Sequence, residues 1–440
     1  MDNDDDVDEE EDSDTCADDT CAPMFPYILD SMVGDEMVKF SGLVGEKAKQ
    51  TTALAHYRLL GNSGLRVSPC LFPRTLSSSL FHSSCHLLMC VHAVCLGTLA
   101  FGDNWGAMMT PMTKEQVETI LDKYVEKGGN FVDTALNYQD GQSVEWLGEW
   151  MKKKACRDRL VIAAKYSMPL HNGDINSGGN HRKSLRYALK ETLRALRTDY
   201  IVCRSPLSIH APHVALTAAA QQDILYVHLW DFVTPVEETM RALDDVVRAG
   251  QVHYLGVSDT PAWVVAQANT LARARGWAPF VAFQGKYNPS EREAELDLLP
   301  MCRALGLGYI PWGLQPWCAR LGSASAASAQ KEGDAGLGAV VGAVAEVAAQ
   351  QGCTPAQAVF AWALHKDPVV SVLLTCHSVA VLDEYIGALG VRLTPEQAAA
   401  LERAAPLVPR YPHKYIGYTY QTSRWFEKAG TIAMPGDTLY

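Results

Sequence analysis

Four ionisable side chains of complementary types lie close to the ends of three short apolar runs. They are Asp133 and Tyr138 around the end of NFVDTA (130–135), Lys165 in LVIAAK (160–165) and His228 in ILYVHL (224–229). A phenol with a pKa of about 10 is a weak acid at neutral pH, and an adjacent ammonium favours the phenolate and lowers that value. We therefore expect Lys165, held by Asp133, to lower the pKa of Tyr138 so that the phenol can protonate a developing alkoxide.

The same side chains favour one class of reaction. A histidine can hydrogen-bond a substrate carbonyl and orient it, which is the role expected of His228. No nucleophile or metal is needed, so reduction of a carbonyl by an external hydride carrier fits better than hydrolysis. Each residue alone has an ordinary structural explanation, as a turn carboxylate, a solvated lysine or a core histidine. Four matching types at the ends of three consecutive strands favour the catalytic interpretation.

Short β-branched runs alternate with helical periodicity along most of the chain. The strand candidates are CLGTLAFG (95–102), NFVDTA (130–135), LVIAAK (160–165), ILYVHL (224–229), YLGVS (254–258), VAFQGKY (281–287), GYIPW (308–312) and VSVLLT (370–375). Eight such units predict an α/β fold, a (β/α)8 barrel, with YRLLGNSGLRVS (57–68) as a hairpin before it. Chemistry in such barrels collects at the C-terminal strand ends, so the four side chains are expected at one mouth. A doubly wound sheet is the weaker alternative, since no G-x-G-x-x-G follows an early strand.

Amphipathic segments connect the predicted strands. In TKEQVETILDKYVEKGG (113–129) the apolar Val117, Ile120, Leu121 and Tyr124 share one face, and the two final glycines suit a helix end. An amphipathic stretch with apolar Val144, Leu147 and Trp150 begins soon after Tyr138. Further helices are predicted at 181–197, 235–249, 261–275, 292–305, 355–365 and 378–389.

At these residues the chain resembles the aldo-keto reductases and, within them, the group of fungal aryl-alcohol dehydrogenases and norsolorinic acid reductases. The segments that carry the resemblance are YRLLGNSGLRVSP, LGTLAFGDNW, GGNFVDTALNYQDGQSVEWLGEWM, RDRLVIAAKYS, DILYVHLWDF, YLGVSDTPAWVVAQAN, AFQGKYNP and YPHKYIG, from 56 to 418. The resemblance implies a (β/α)8 TIM barrel, a nicotinamide cofactor, usually NADPH, and carbonyl reduction by hydride and proton transfer.

The resemblance also implies roles for individual residues. The catalytic tetrad falls on Asp133, Tyr138, Lys165 and His228. The implied cofactor-binding residues are Ser258, Asp259 and Gln284 at the carboxamide, Trp312 stacked on the nicotinamide, Thr375 at a usual glycine, His377 at the 2′-phosphate and Glu384 at the adenine. Asp259 stands where many relatives have Asn or Arg.

Two loops depart from the family pattern. After the seventh strand, Gln315, Pro316 and Trp317 replace small residues of a run whose backbone amides approach the cofactor's pyrophosphate. After the eighth strand, His377 replaces the usual Arg or Lys and Tyr385 replaces the usual Asn. A neutral histidine is a poorer phosphate partner than arginine, so the preference for NADPH over NADH is open. NADPH, the usual cofactor of the family, is the expected one, and NADH is the alternative.

Acidic charge is concentrated at the start of the chain. Residues 1–20 hold twelve of the 50 Asp and Glu and no Lys or Arg, so the other 38 acidic groups balance the 38 basic ones. A block of like charges with few apolar groups does not collapse, which predicts a disordered acidic tail at 1–55. The barrel domain is predicted at 56–425 and a C-terminal tail at 426–440. An acidic start fits neither a secretory nor a transit signal, so a cytoplasmic location is expected.

The remaining composition indicates a globular protein, and the resemblance implies a small-molecule carbonyl substrate. The twelve cysteines are irregularly spaced and are expected to be mostly reduced and buried. The uncharged stretch at 86–101 is shorter than the roughly 20 residues that span a bilayer. The His and Cys residues at 82–95 lack paired C-x-x-C units, so no metal site is expected. Neither a nucleic acid nor a membrane is an expected partner, and the oligomeric state stays open.

Two segments, near 70–94 and at 202–222, interrupt the family spacing. We hypothesise that they are retained introns in the gene model, because a Val202 codon begins with GT and a Gln222 codon can be CAG. Genuine loops are the alternative. Both would enter barrel strands at their N-terminal ends, away from the catalytic face.

The expected function is NAD(P)H-dependent reduction of aldehydes or ketones, aryl compounds among them, with Tyr138 as the general acid. One alternative is an NAD-dependent aryl-alcohol dehydrogenase on the same scaffold. The other is a cofactor-binding regulatory subunit with low turnover.

Overall fold

Eight parallel strands form the central sheet of the computed structural model, which describes residues 57–60, 66–68, 90–91, 93–171, 173–198, 222–323 and 335–417. The strands are β1 Tyr57–Leu59, β2 Arg66–Ser68, β3 Cys90–Val91, β4 Val94–Gly97, β5 Phe131–Asp133, β6 Val161–Tyr166, β7 Gln222–Val227, β8 Val252–Ser258, β9 Phe280–Lys286, β10 Gly308–Trp312 and β11 Val372–Thr375. In the central sheet the order is β10, β9, β8, β7, β6, β5, β4, β11. All eight predicted barrel strands are confirmed.

The two outer strands of this order meet and close the sheet. Tyr309 of β10 donates its backbone N–H to Pro368 O at 3.0 Å and accepts the N–H of Val370 at 3.0 Å. Tyr309 and Val369 accordingly form a parallel bridge just before β11. The closed ring of strands with helices outside is a (β/α)8 TIM barrel. The doubly wound alternative is wrong, because an open sheet would leave these two strands apart.

The predicted hairpin lies at the N-terminal end of the barrel. Strands β1 and β2 pair antiparallel, with Leu59 opposite Arg66, and β3 pairs with both. Leu60 follows β1 and is fully buried with the residues that fill the barrel interior. A Cβ built on Gly308, the first residue of β10, would lie 3.1 Å from Leu60. The hairpin therefore covers the end opposite the C-terminal strand ends.

Helices surround the strands. They are α1 Lys114–Glu126, α2 Gln142–Lys154, α3 Arg182–Leu196, α4 Val236–Arg248, α5 Ala262–Arg275, α6 Leu298–Leu305, α7 Leu314–Ser323, α8 Ala335–Gln351, α9 Pro355–Leu364, α10 Val379–Gly387, α11 Pro395–Ala404 and α12 His413–Ile416. Helix α1 begins with a capping box between Thr113 and Gln116 and buries the four apolar residues that were predicted to share a face. The amphipathic stretch after Tyr138 forms α2, and the other six predicted helices are also present, although α6 is shorter than the predicted segment at 292–305.

Helices α7, α8, α11 and α12 were not predicted. Helix α8 reads AGLGAVVGAVAEVAAQQ, which is apolar on most sides and has almost no charged face to mark a helical period. It packs between α9 and α11, so tertiary contacts rather than amphipathicity account for its apolar surface.

The first barrel strand differs most from its prediction at 95–102. Strand β4 begins at Val94, which pairs with Val372 of β11, so Val94 belongs to the barrel and not to the first insertion. The strand ends at Gly97 because the chain then turns, with the Phe101 N–H donating to Thr98 O at 2.9 Å.

The two predicted tails and most of the two insertions lie outside the described residues, and the proposed domain boundaries stay predictions. Six cysteines of the described part are free thiols and five of them are buried, which confirms the expectation for these six. Within the same ranges, none of the helices combines the length and hydropathy needed to traverse a bilayer.

Candidate active site

An ion pair between two neighbouring strands lies at the centre of the site. Asp133 ends β5 and Lys165 is the fifth residue of β6, and the register aligns Asp133 with Ala163. Both side chains therefore reach the same end of the barrel, where Lys165 Nζ donates to Asp133 Oδ1. Their side chains are only 0% and 1% exposed, so the pair is shielded from solvent. Such a pair is expected to be rigid, because neither charge has water as an alternative partner.

Tyr138 joins this pair from the turn that follows β5. Lys165 Nζ lies 3.2 Å from Tyr138 Oη and 5.1 Å from the centre of its ring. The short 3-10 turn Tyr138–Gly141 contains Gln139 at φ +50°, a left-handed conformation that other contacts must hold. Gln139 Oε1 accepts the N–H of Trp105 at 2.8 Å, and its Nε2 donates to Leu99 O at 3.2 Å. The loop after β4 thus fixes the turn that positions the phenol.

The pKa of Tyr138 is set by two opposing effects. Burial raises it to about 12 and outweighs the lowering by Lys165, while Asp133 adds to the increase. The ammonium acts in the expected direction, but the expectation of a net lowered pKa is wrong. Desolvation depends on how completely the barrel mouth encloses the phenol, which no local pattern records. Tyr138 is therefore a neutral phenol at neutral pH.

Lys165 is charged, whereas His228 is neutral. Burial lowers the pKa of Lys165, but Asp133 and Tyr138 raise it by more, so the ammonium is charged. Burial and then the charge of Lys165 lower the pKa of His228 well below its usual value, so its imidazole is neutral. The His228 ring lies 5.9 Å from the Tyr138 ring, at an angle of 75°. All four predicted catalytic residues are thus brought together at one mouth.

Four of the predicted cofactor residues follow around the same mouth. Ser258 ends β8 and is buried, and Gln284 of β9 donates from Nε2 to Asp133 Oδ2 at 3.0 Å. Trp312 ends β10 and donates from Nε1 to Asp259 Oδ1 at 3.2 Å. Asp259 has φ +40° and an accessible surface in the mouth. The surrounding protein nevertheless desolvates its carboxylate and raises its pKa to about 6, against the lowering by hydrogen bonds from Trp312 and Ser258.

The remaining cofactor residues lie after β11. Thr375 ends that strand, and its Oγ1 would lie 3.2 Å from a Cβ built on Gly97 of β4. His377 is half-buried, its pKa is lowered by desolvation, and its Nδ1 has no hydrogen-bond partner among the described residues. Glu384 lies on α10 and is half-buried. Tyr385 is buried instead, with its ring 4.3 Å from that of Phe360, so it belongs to the core.

The segment after β10, where Gln315, Pro316 and Trp317 replace the small residues usual in the family, forms a helix. Helix α7 begins at Leu314, directly after β10 and Gly313, so this segment is helical rather than an open glycine-rich loop. Trp317 is 4% exposed and donates from Nε1 to Ser290 Oγ at 3.0 Å. Its indole is therefore used for packing in the loop after β9.

A second polar group, between the loops after β6 and β7, was missed by the sequence reasoning. It consists of Ser167, Asn180 and Asp231, which are linked by hydrogen bonds. The only signal in the sequence is the turn-forming character of the segments around Gly179 and Asp231. Nothing local indicates that the two segments meet. No cluster of three His, Cys, Asp or Glu suited to a metal occurs within the ranges that the structure describes.

A TIM barrel with a buried Asp–Lys–Tyr group and a neutral histidine at its C-terminal mouth has groups suited to proton transfer at a substrate oxygen. The Aldo/keto reductase family model matches residues 93–217 and 215–406, and the chain belongs to this family of oxidoreductases. The two matched segments meet inside the predicted second insertion at 202–222.

The chain is also similar to individual fungal enzymes. It is 38% identical over 338 residues to a norsolorinic acid reductase of Emericella nidulans, covering 74% of this chain and 81% of the relative. A norsolorinic acid reductase of Aspergillus flavus is 36% identical over 380 residues, covering 83% and 85%. An aryl-alcohol dehydrogenase of Pestalotiopsis microspora is 34% identical over 344 residues, covering 74% and 82%. These similarities support carbonyl reduction as the activity.

Proposed function

We propose that the protein reduces aldehydes or ketones with NADPH and that Tyr138 is the general acid. The observation that carries the proposal is the 3.2 Å contact between Lys165 Nζ and Tyr138 Oη inside a buried site. When bound, the nicotinamide supplies the hydride that goes to the carbonyl carbon. The Tyr138 hydroxyl donates its proton to the carbonyl oxygen, and the Lys165 ammonium stabilises the phenolate that remains.

Asp133 and His228 support this step in different ways. Asp133 holds the Lys165 ammonium and accepts a hydrogen bond from Gln284, which leaves the carboxylate with two buried partners. His228 is neutral and can donate one ring N–H to the carbonyl oxygen without competing for the proton of Tyr138. Its edge-on position against the Tyr138 ring would bring both donors to the same oxygen.

The residues present fit a nicotinamide cofactor on one side of the mouth. Ser258, Asp259 and Gln284 offer hydroxyl, carboxylate and amide groups to a carboxamide, and Trp312 offers a flat ring beside them. His377 Nδ1 is a buried polar atom without a hydrogen-bond partner in the described ranges, as a ligand-binding atom would be before its ligand arrives. Because its imidazole is neutral, His377 would bind the 2′-phosphate of NADPH weakly, and NADH is the alternative cofactor.

The rim of the mouth fits a substrate with an apolar body. Exposed apolar side chains lie in three loops that follow barrel strands: Met108 after β4, Ile175 after β6, and Phe232 and Val233 after β7. Apolar groups exposed on the loops that surround a catalytic mouth favour an apolar ligand. This supports aryl aldehydes or ketones as the substrate class, in keeping with the names of the similar fungal enzymes.

Tyr138 carries its proton at neutral pH, because burial raises its pKa to about 12. The protonated phenol is the form that a general acid in reduction requires. The intact Asp133, Lys165 and Tyr138 contacts favour an enzyme over a regulatory subunit with low turnover.

Turnover of an aryl aldehyde by the purified chain, followed by oxidation of NADPH and separately of NADH, tests the proposal. Tyr138→Phe should lower the rate constant of reduction by about 10²–10⁴-fold and leave cofactor affinity unchanged. Tyr254→Phe removes a phenol from the N-terminal half of β8 and is the matched control. Tight cofactor binding without turnover by the unaltered chain would instead support the regulatory alternative.

A further inference from the structure

A buried carboxamide, that of Asn180, ties together the loops that follow β6 and β7. Asn180 is 0% exposed. Its Nδ2 donates to Ser167 Oγ at 2.8 Å and to Leu229 O at 2.9 Å, and its Oδ1 accepts the N–H of Asp231 at 2.8 Å. Both donor hydrogens and the acceptor of the amide are therefore used, which is how a buried amide holds two segments at a fixed distance.

Two of these bonds end beside the backbone of His228. Ser167 Oγ accepts the His228 N–H at 3.3 Å, and the same N–H donates to Tyr166 O at 2.9 Å. Leu229 O belongs to the residue that follows His228. The Asn180 amide is thus bonded to the chain just after His228 and, through Ser167, to the chain at His228 itself.

The imidazole of His228 packs edge-on against the ring of Tyr138. Its Nδ1 is buried and has no hydrogen-bond partner among the residues that the structure describes. Histidines with a defined role usually have their second ring nitrogen fixed by a carbonyl or carboxylate. Here that fixing bond is missing among the described residues, so the placement of the ring beside Tyr138 depends on packing and on the backbone that carries it.

The unusual backbone conformation of Ser167 is a second reason to expect that this network is precisely arranged. It has φ +113°, which is unfavourable for a residue other than glycine, and it lies two residues after Lys165. Backbone of this kind persists only where surrounding contacts determine it, and such positions cluster at functional sites. The contacts are the Asn180 Nδ2 bond and the Gly179 N–H, which donates to Ser167 O at 2.7 Å.

Asp231, at the other end of this hydrogen-bond network, also accepts several hydrogen bonds. Asp231 Oδ2 accepts the backbone N–H of Asn180 at 2.8 Å and the hydroxyl of Thr234 at 2.6 Å. Asp231 Oδ1 accepts the N–H groups of Val233 and Thr234 at 3.0 and 2.9 Å. A carboxylate with this many donors anchors the loop after β7 to Asn180.

From this geometry we infer that Asn180 is a positioning residue for His228. It sets where the His228 imidazole stands relative to Tyr138 and Lys165, and so where the substrate carbonyl is held. It touches no reacting atom itself, and its loss should affect orientation of the substrate and not binding of the cofactor. The inference rests on the proposed role of His228 in reduction.

The test compares two equally buried asparagines. Asn180→Ala should lower the rate constant of aldehyde reduction by about 10- to 100-fold, with NADPH affinity changed by less than about twofold. The control is Asn269→Ala. Asn269 is also 0% exposed, and its amide binds the N–H and carbonyl of Phe280, at the opposite end of the barrel. The control should leave the rate constant of the folded protein unchanged.

A double-mutant cycle separates positioning from general damage. In a His228→Ala background, Asn180→Ala should cause no further loss of rate, because the residue through which it acts is gone. A full additional loss in that background, or an equal loss in Asn269→Ala, would overturn the inference. If Asn180→Ala does not fold, Ser167→Ala replaces it, since it removes only the hydroxyl that joins Asn180 to His228.

A readout without turnover keeps this result distinct from the proposed function. In protein with labelled histidine rings, the His228 signal is assigned by its loss in His228→Ala. It should shift or broaden in Asn180→Ala and stay in place in Asn269→Ala. An unaltered chain without turnover would refute the proposed reduction, whereas an unchanged His228 signal in Asn180→Ala would refute the positioning role.

Discussion

Replacing Lys165 by methionine should destabilise the fold strongly, because it leaves the carboxylate of Asp133 buried without its counter-charge. Removing one partner of a buried ion pair costs about 3–5 kcal/mol, and the side chains of this pair are only 0% and 1% exposed. Gln284 Nε2 donates to Asp133 Oδ2 at 3.0 Å in the unaltered chain, and we expect this bond to persist in the variant. One charge-assisted hydrogen bond thus remains, so we expect a loss near the lower limit, about 3 kcal/mol.

The double substitution Asp133→Asn with Lys165→Met should be more stable than Lys165→Met alone. It removes the uncompensated charge while keeping an acceptor for Gln284, and recovery of at least about 2 kcal/mol is expected. Urea denaturation followed by tryptophan fluorescence gives the free energies of unfolding, provided that the slope with denaturant is similar among the variants. Neither variant should reduce aldehydes, so the recovery concerns the fold alone.

The control for this experiment is Lys153→Met. The ammonium of Lys153 pairs with Glu118 at 2.6 Å on the surface, where the lysine side chain is 63% exposed. Its loss should lower the free energy of unfolding far less than Lys165→Met does, because an exposed ion pair contributes little to stability. The reasoning is refuted if Lys165→Met costs no more than this control, or if the double variant is no more stable than Lys165→Met.

Three further predictions concern cofactor choice, pH and packing. His377→Arg should increase NADPH affinity by about tenfold or more and leave NADH affinity unchanged, since a charged donor replaces a neutral imidazole; titration of cofactor fluorescence measures both. Asp259 has a pKa raised to about 6, so its contribution to stability is greatest below its unfolded value of about 4 and is lost as pH rises through about 6. The stability of the unaltered chain relative to Asp259→Asn should therefore fall between about pH 4 and pH 7, by less than about 1 kcal/mol because the side chain is accessible; a constant difference would contradict this. A Cβ on Gly148 of α2 would overlap the backbone of Ala195, so Gly148→Ala should destabilise the fold by about 1–3 kcal/mol. Gly342 has open space around its Cβ position in α8, so Gly342→Ala should stabilise the fold by about 0.5–1 kcal/mol. Thermal unfolding of the two variants measures both changes.

Several parts of the fold could be predicted from local sequence patterns. The barrel strands alternate with helices in a way that only a few architectures satisfy, and β-branched runs such as VIAAKY mark their positions. The tetrad could be found for the same reason. In parallel strands the C-terminal ends share one edge, so Asp133, Lys165 and His228 at three successive strand ends had to come together.

Other parts of the fold could not be predicted from local sequence patterns. Helix α8 has no clear polar face, so its helical period becomes visible only when α9 and α11 cover it. The end of β4 at Gly97 depends on a turn that the apolar sequence CLGTLAF does not reveal. Local propensity is a weak guide wherever packing on all sides decides the conformation.

The sequence alone determined the types of chemical group in the site and the edge of the barrel at which they meet, because both follow from residue identity and strand order. The charge states of those groups were decided by the tertiary structure. Burial raises the pKa of Tyr138 to about 12 and keeps His228 neutral. Burial depends on the loops that enclose the site, and the spacing of five residues between Asp133 and Tyr138 does not reveal it. The bridge from Asn180 to Asp231 joins residues 51 positions apart, and only folding creates it.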